Sequence, residues 1–126
     1  MNDFSNALSI ASSGLKAQSA RLRHVSENIA NADTPGYRRK IVNFETQQTS
    51  GQVDLGKLTL DKTQLREIYD PSHPMADARG NYDGSNVDLI IEIADAREAQ
   101  RSYEANLKML DQTRQMSSSL MDILRR

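Results

Sequence analysis

The sequence predicts a mainly α fold, in which long N- and C-terminal helices pair as a coiled-coil-like unit around a small irregular or β insert. Apolar residues recur in steps of four and three from residue 4 to residue 32, and residues 87–126 contain neither glycine nor proline. The stretch between them is rich in turn residues. We therefore divide the chain into an N-terminal helix (1–34), a turn, extended arm and small β insert (35–85), and a C-terminal helix (86–126). The two helices are expected to form one discontinuous terminal-helix domain.

The first helix has the spacing of a heptad seam. Asn2 or Asp3 can cap its start. Its end is set by Thr34-Pro35-Gly36, because proline disfavours helix in the residue before it and glycine permits a turn that a side chain would resist. The large apolar residues of this seam are Phe4, Leu8, Leu15, Leu22, Val25 and Ile29. Small residues on its flanks would let neighbouring helices approach closely.

The second helix follows the turn-rich segment GNYDGSN, where Ser85 or Asn86 is a suitable N-cap. Its broad apolar stripe includes Leu107, Leu110, Met116, Leu120 and Leu124. A helix of this length, roughly 60 Å at 1.5 Å per residue, is longer than a chain of this size can bury against itself. The stripe therefore predicts a partner surface.

The insert alternates apolar and polar residues over short distances. The segments KIVNFET (40–46) and GKLTLDKTQLREIY (56–69) indicate short strands. Turn signals separate them at Ser50-Gly51, Gly56, Asp70-Pro71, Gly80-Asn81 and Asp83-Gly84. The segment is too short and too poor in apolar residues for an independent sandwich or barrel.

Composition narrows the possible functions. Apolar residues make up 37% of the chain, below the roughly 45–50% typical of globular domains, so the core should be small. Acids and bases are interspersed and the net charge is −1, which argues against a dedicated nucleic-acid or membrane-surface binder. The absence of cysteine excludes disulfides and thiolate metal sites. No cleavable signal peptide and no membrane-inserted segment are expected.

Residues that could support catalysis are few. His24 and His73 lack the spacing of metal ligands, and His24 is expected to be a flank or interface residue. Asp70 and His73, in YDPSHP, could form an acid–base pair in a small hydrolase. The alternative, which we favour, is a rigid connector of extended, polyproline II-like conformation in which Ser72 and His73 make local hydrogen bonds. With no phosphate-binding loop and no nucleophile elbow in the sequence, we predict no enzyme, no cofactor and no metal.

Two long amphipathic helices with small-residue flanks favour a subunit of an assembly. The alternatives from periodicity alone are a self-contained helical hairpin and a discrete coiled-coil binding protein.

Two stretches of this sequence resemble a known family. SGLKAQSARLRHVSENIANADTPGYRRK (13–40) resembles the N-terminal signature of bacterial flagellar rod and hook axial proteins, with its Asn31, Thr34, Pro35, Gly36, Tyr37 and Arg38. YDPSHPMADARGNY with NVDLIIEIADAREAQRSYEAN (86–106) is similar to proximal rod members of that family, with Asp70, Pro71, His73, Pro74, Tyr103 and Asn106 at the motif positions. Ser85 stands where the family usually has proline, and Met75-Ala76-Asp77-Ala78 replaces an acidic run. Another axial component is the nearest alternative.

The resemblance implies a structural subunit that polymerises into the rod, the drive shaft carrying motor torque across the periplasm to the hook. It implies export by the flagellar type III route. The implied partners are copies of this chain, other rod proteins, the export apparatus and the base of the motor ring. It implies that the turn after the first helix sends the chain outward, with Tyr37 and the following cations where neighbouring subunits meet. It also implies that the helices are poorly ordered before assembly.

Overall fold

The computed structural model describes residues 2–126, and two long helices dominate it. In chain order the elements are α1 (Asn2–Ala30), β1 (Lys40–Ile41), β2 (Phe44–Thr46), β3 (Val53–Leu55), β4 (Thr59–Leu60), β5 (Glu67–Tyr69), β6 (Asn81–Asp83) and α2 (Leu89–Arg125). The mainly α fold with paired terminal helices and a small β insert is confirmed. No helix within these residues is long and apolar enough to cross a bilayer.

The two helices pack antiparallel. Asn28 near the end of α1 lies beside Glu92 near the start of α2. Arg21 pairs with Glu98, and Gly14 lies against Asn106. At the far end of the pair, Phe4 borders the same groove as Met116 and Ile123. The two helices thus run in opposite directions along the whole length of α1.

Small residues form the line of closest contact between the helices. The buried hydrophobic residues are Ala11, Ala17, Ala20, Val25, Val87 and Ala99. A Cβ atom built at Gly14 would lie only 2.8 Å from the Asn106 side-chain oxygen, so glycine allows α2 to approach here. The large seam residues Leu8, Leu15 and Leu22 are only half-buried. The two helices therefore contact each other mainly through alanines, and the leucines of α1 stay partly exposed.

The helix ends differ in detail from the predictions. α1 ends at Ala30 rather than at residue 34. Its start lies at the edge of the described residues, with Asp3 in the first turn. The predicted N-cap of α2, Ser85 or Asn86, is wrong: Asp88 caps the helix, and its Oδ1 accepts a hydrogen bond of 3.0 Å from Ile90 N–H. The helix starts later because those two side chains bond elsewhere.

Residues 40–60 form a single bent hairpin, here called the arm hairpin. β1 pairs with β4 and β2 with β3, both antiparallel. Between the two ladders Gly56 N–H donates to the Asn43 carbonyl at 2.7 Å. The arm hairpin runs back along α1, and Val53 N–H donates to Ser13 Oγ at 3.0 Å. Strand β3 was not predicted, and only Thr59–Leu60 and Glu67–Tyr69 of the second predicted segment form strands.

A second hairpin joins the insert to α2. β5 pairs antiparallel with β6, so that Tyr69 faces Asn81 and Glu67 faces Asp83. The prediction of turns at Gly80-Asn81 and Asp83-Gly84 is wrong for residues 81–83, which form β6. Residues 81–83 are polar and give no strand signal in the sequence, because this strand forms only by pairing with β5. Gly80 has a φ of 83° and closes the loop between the two strands.

Candidate assembly surface and polar junction

Five side chains join the end of α1, the chain after the turn and the start of α2. We call Asn28, Tyr37, Arg39, Lys40 and Glu92 the polar junction. Asn28 is only 1% exposed and is its centre. The Asn28 oxygen accepts from Lys40 N–H at 2.8 Å and from the Tyr37 hydroxyl at 2.9 Å. The Asn28 amide donates to the Lys40 carbonyl at 3.0 Å and to Glu92 at 3.3 Å.

The charged part of the polar junction is an ion pair between Arg39 and Glu92. Glu92 is 0% exposed, and Arg39 Nε donates to its carboxylate at 2.6 Å. Burial alone would lower the pKa of the Arg39 guanidinium, but the carboxylates of Glu92 and Asp61 raise it above its ordinary value. Arg39 stays charged, and a buried charge with a bonded partner avoids the penalty of an unpaired one.

Lys40 closes the junction on the side of α1. Its ammonium lies 2.5 Å from a Glu27 carboxylate oxygen. This hydrogen bond lowers the pKa of Glu27 and raises that of Lys40. His24 Nδ1 lies 3.5 Å from the same carboxylate, and His24 is half-buried on the flank of α1. His24 therefore sits where a flank residue was expected.

The family-motif turn is held by its own side chains. Asn31 donates to the Glu27 carbonyl at 2.8 Å, and Thr34 Oγ1 donates to Asn31 at 3.1 Å. Gly36 has a φ of 75°, in the left-handed region where a side chain would be strained. Ser85 Oγ donates to the Ala32 carbonyl. The turn is thereby bonded to the segment that leads into α2.

Arg38 is also bonded within the chain, donating to the carbonyls of Asp61 and Thr63 at 3.2 and 2.9 Å. The side chains of all three cations after Tyr37 thus have partners in the segment after the arm hairpin or in the helices. Their predicted location at contacts between subunits stays a prediction. Such a contact would have to use surfaces that these bonds leave free.

The segment Asp70–Pro74 forms a closed loop between β5 and β6, not an extended connector. Asp70 accepts hydrogen bonds from Ser72 N–H at 3.1 Å and from Ser72 Oγ at 2.6 Å, and the hydroxyl bond lowers the pKa of Asp70. The His73 ring stacks on Tyr82 with centroids 3.9 Å apart, and its Nδ1 accepts from Met75 N–H. Local bonding, rather than an acid–base pair, occupies both side chains.

The remaining motif residues lie on α2. Tyr103 is half-buried, and the Asn106 amide donates to the Ser102 carbonyl at 2.9 Å. Asn106 packs against Gly14, so this position sets the separation of the two helices.

Large apolar side chains are exposed along both helices. Six of the eleven predicted seam residues are half-buried or buried, and five are exposed. The exposed large residues of the helices are Ile10, Ile29, Leu89, Ile90, Ile91, Ile93, Leu107, Met109, Met116, Leu120, Met121, Ile123 and Leu124. The accessible surface of 9116 Å² exceeds the roughly 6,700 Å² expected for a compact monomer of this mass. The chain thus presents surface that a monomer would normally bury.

Several residues that hold the junction were not predicted as site residues. Asn28, Asp61, Asn86 and Glu92 are far apart in the sequence and meet only in the fold. A signal was present for one of them. Glu92 is a lone carboxylate in the aliphatic run LIIEI, and a charged residue in such a run is typical of a buried, paired group.

Comparison with known families matches the two helical ends of this fold. The family "Flagella basal body rod protein" matches residues 1–38. The family "Flagellar basal body rod FlgEFG protein C-terminal" matches residues 78–123. Together with the paired helices, these matches define the class as rod-type flagellar axial proteins.

Individual proteins narrow the class further. The flagellar basal-body rod protein FlgC of Agrobacterium fabrum is 48% identical over 99% of this chain and 98% of its own length. FlgC of Salmonella typhimurium is 35% identical over 88% and 90%, and FlgC of Bacillus subtilis 32% identical over 94% and 96%. This chain belongs to the FlgC family of flagellar basal-body rod proteins. Its role is structural and non-enzymatic.

Proposed function

We propose that this chain packs laterally with copies of itself and with other rod proteins to build the proximal part of the rod. There it acts as a drive shaft that carries motor torque across the periplasm to the hook. The exposed apolar stripes of the helices are the observation that supports this proposal. In water such surface is a liability, whereas neighbouring helices would bury it. Close-packed helices resist twist because their interfaces do not deform continuously.

We propose that α1 and α2 act in the rod as one assembly domain, although the insert separates them in the chain. The predicted seam residues would supply its contacts. Burying a large aliphatic side chain stabilises by about 1.5–3 kcal/mol. Ordering one residue costs roughly 1–2 kcal/mol, and the alanine-rich contact between the helices recovers little of that. Neighbours would supply the rest, so assembly and ordering of the helix ends are coupled.

We further propose that the subunit reaches the rod by the flagellar type III route and contacts the export apparatus and the base of the motor ring. The support for this proposal is that the chain belongs to the flagellar basal-body rod family.

The assembly proposal is tested with Leu107→Asp, which places a charge on an exposed seam residue of α2. A strain without the native gene is complemented with this variant, and its swimming and the protein content of isolated basal bodies are measured. We expect no swimming and no variant in basal bodies. The matched control is Lys108→Asp, which changes charge at the adjacent exposed position. Normal swimming of the Leu107→Asp strain would contradict the proposal.

A further inference from the structure

The arm hairpin is held firmly at its base and by little in its outer half, residues 44–55. At the base, the N–H and the carbonyl of Lys40 are both bonded to the buried side chain of Asn28. Within the described part of the chain, the outer half makes one hydrogen bond to α1, from Val53 N–H to Ser13 Oγ at 3.0 Å. We call this bond the latch. The rest of the outer half is exposed, apart from the half-buried residues 52 and 53.

A polar gap separates the outer half of the arm hairpin from α1. It measures about 630 Å³ and lies between the side chains of Ser12 and Lys16 on α1 and those of Glu45 and Asp54 on the arm hairpin. Because little apolar surface is buried across this gap, packing contributes little to the position of the arm hairpin. The latch therefore decides whether the outer half lies along α1.

The arm hairpin can bend between its two ladders. Pairing of β1 with β4 stops before the pairing of β2 with β3 begins, which leaves residues 42–43 and 56–58 between the ladders. One backbone bond crosses this region, from Gly56 N–H to the Asn43 carbonyl. A Cβ atom built at Gly56 would lie only 3.1 Å from that carbonyl oxygen, so glycine allows the bend. A few residues of this kind, at the ends of elements, are what hinges consist of.

The Ser13 hydroxyl is oriented for the latch by a second bond. It donates to the Ile10 carbonyl, one turn earlier in α1, at 2.7 Å. A hydroxyl has one proton to donate and two lone pairs that accept, so donation to the helix leaves a lone pair for the Val53 N–H. The neighbouring Ser12 borders the same gap but makes no such bond within the described residues.

We propose that Ser13 is a positioning residue for assembly, because its hydroxyl holds the outer half of the arm hairpin in one direction along α1. This role rests on the proposed function, since assembly is the process that it serves. An arm that is already positioned loses less conformational entropy when neighbours pack around it. Without the latch the outer half swings about the bend. The helix pair stays folded, because the polar junction and the contact of Gly14 with Asn106 do not involve the outer half.

The latch is tested on the purified chain with two spin labels, which cysteine-free sequence makes specific. They are attached at Gln48→Cys, exposed in the turn of the arm hairpin, and at Arg23→Cys, exposed on α1. Electron paramagnetic resonance should give one narrow distance distribution with Ser13 and a broad one in Ser13→Ala. Ser13→Thr, which keeps the hydroxyl, should restore the narrow distribution. The matched control Ser12→Ala should leave it unchanged, and the urea midpoint should be the same throughout.

Val53→Pro removes the latch from the side of the arm hairpin, because proline has no N–H. The Val53 N–H donates to α1 and not to β2, so proline at this edge position leaves the ladder intact. This variant should also broaden the distance distribution, and it decides the test if Ser13→Ala lowers the urea midpoint. A narrow distribution in Val53→Pro would overturn the latch.

The effect on assembly is measured in a strain without the native gene, from swimming and from the amount of each variant in isolated basal bodies. Ser13→Ala and Val53→Pro should be incorporated at least about fivefold less than the natural chain, the effect of one lost hydrogen bond on an equilibrium. Ser13→Thr and Ser12→Ala should be incorporated at the natural level, and a loss in either would overturn the role of the hydroxyl.

Two further outcomes separate this role from the proposed function. Normal incorporation of Ser13→Ala, in a chain whose distance distribution is broad, would overturn the positioning role and leave the proposed function intact. Absence of the natural chain from basal bodies would overturn both.

Discussion

The two ends of the helix pair differ in how they are stabilised. At the polar junction, Asn28 and Glu92 are fully buried and bonded to Arg39, Lys40 and Tyr37. At the other end, beyond Gly14 and Asn106, the helices meet through Ala11, and their large apolar residues are half-buried or exposed. The junction end satisfies its buried polar groups within the chain, although Leu89, Ile90 and Ile91 beside it stay exposed. The other presents groups that only neighbours can bury.

Under the proposed function, the junction end of the helix pair would serve folding and the distal end would serve assembly. The polar junction specifies the turn, the direction of the arm hairpin and the face that α2 presents to α1. In the proposed assembly, the distal parts of the helices would supply the contact area. The stability of the unassembled chain should therefore depend most on the junction and least on the distal helices.

Removing the buried carboxylate should have the largest effect. Glu92→Ala leaves Arg39 and Asn28 without their buried partner, and breaking a buried pair in this way costs about 3 kcal/mol. The loss should lie at the lower end of the usual range, because Arg39 retains Asp61 and Asp95. Urea unfolding followed by circular dichroism measures it. The control Glu98→Ala removes an exposed carboxylate on the same helix, and an equal loss in both variants would refute the special role of Glu92.

Truncating the central amide should have the next largest effect. Asn28→Ala removes the acceptor of Lys40 N–H and the Tyr37 hydroxyl. An unsatisfied buried polar group costs about 1–3 kcal/mol. The same unfolding experiment measures the loss, with Ser26→Ala on the exposed face of α1 as the control. A change as small as that of Ser26→Ala would show that the amide network contributes nothing.

Acid should weaken the junction, because protonation of Glu27 removes its ion pair with Lys40. Its pKa in the folded chain is lowered below 4.5 by Lys40, so the ionised form is favoured by folding. This contribution is present above the unfolded pKa and is lost as the pH falls through the folded pKa. The free energy of unfolding should therefore decrease as the pH drops below about 4.5. This decrease should be less steep in Glu27→Gln. The control is Glu104→Gln on α2, and parallel pH profiles for Glu27→Gln and the natural chain would contradict this account.

Charging the distal stripe should barely alter the free chain. Leu107 is 41% exposed, and surface substitutions usually change stability by less than about 0.5 kcal/mol. We expect Leu107→Asp to unfold at the same urea concentration as the natural chain, although assembly is lost. A loss of stability like that of Glu92→Ala would mean that the distal end is already part of the folded core.

The sequence predicted the helices well, because their signals are local. The apolar spacing of α1, the absence of glycine and proline from α2 and the turn at Pro35-Gly36 all act within a few residues, although α1 already ends at Ala30. It did not predict β3, β6 or the cap at Asp88, because these depend on partners elsewhere in the chain. Strand β6 exists only through its pairing with β5. Ser85 and Asn86 do not cap α2 because their side chains are hydrogen-bonded to the backbone of Ala32 and Arg39 instead.

The prediction of the seam residues is limited in a similar way. Periodicity identifies the apolar face of α1 but not which residues meet α2 in the same chain. Alanines and Gly14 form that contact, because a narrow line of small residues lets the helices approach closely. The leucines on either side remain partly exposed for other contacts. A heptad pattern cannot separate these two uses of one face.

The unassembled chain should be ordered at the polar junction and open at its distal end. Amide hydrogen exchange of the purified, unassembled protein, resolved by residue, tests it most directly. We expect slow exchange in residues 25–30 and 92–99 and at Lys40, whose N–H is bonded to Asn28. Exchange should be fast in residues 3–10 and 110–125. Equally strong protection to the ends of both helices would contradict the account, because the helices would then satisfy each other without neighbours.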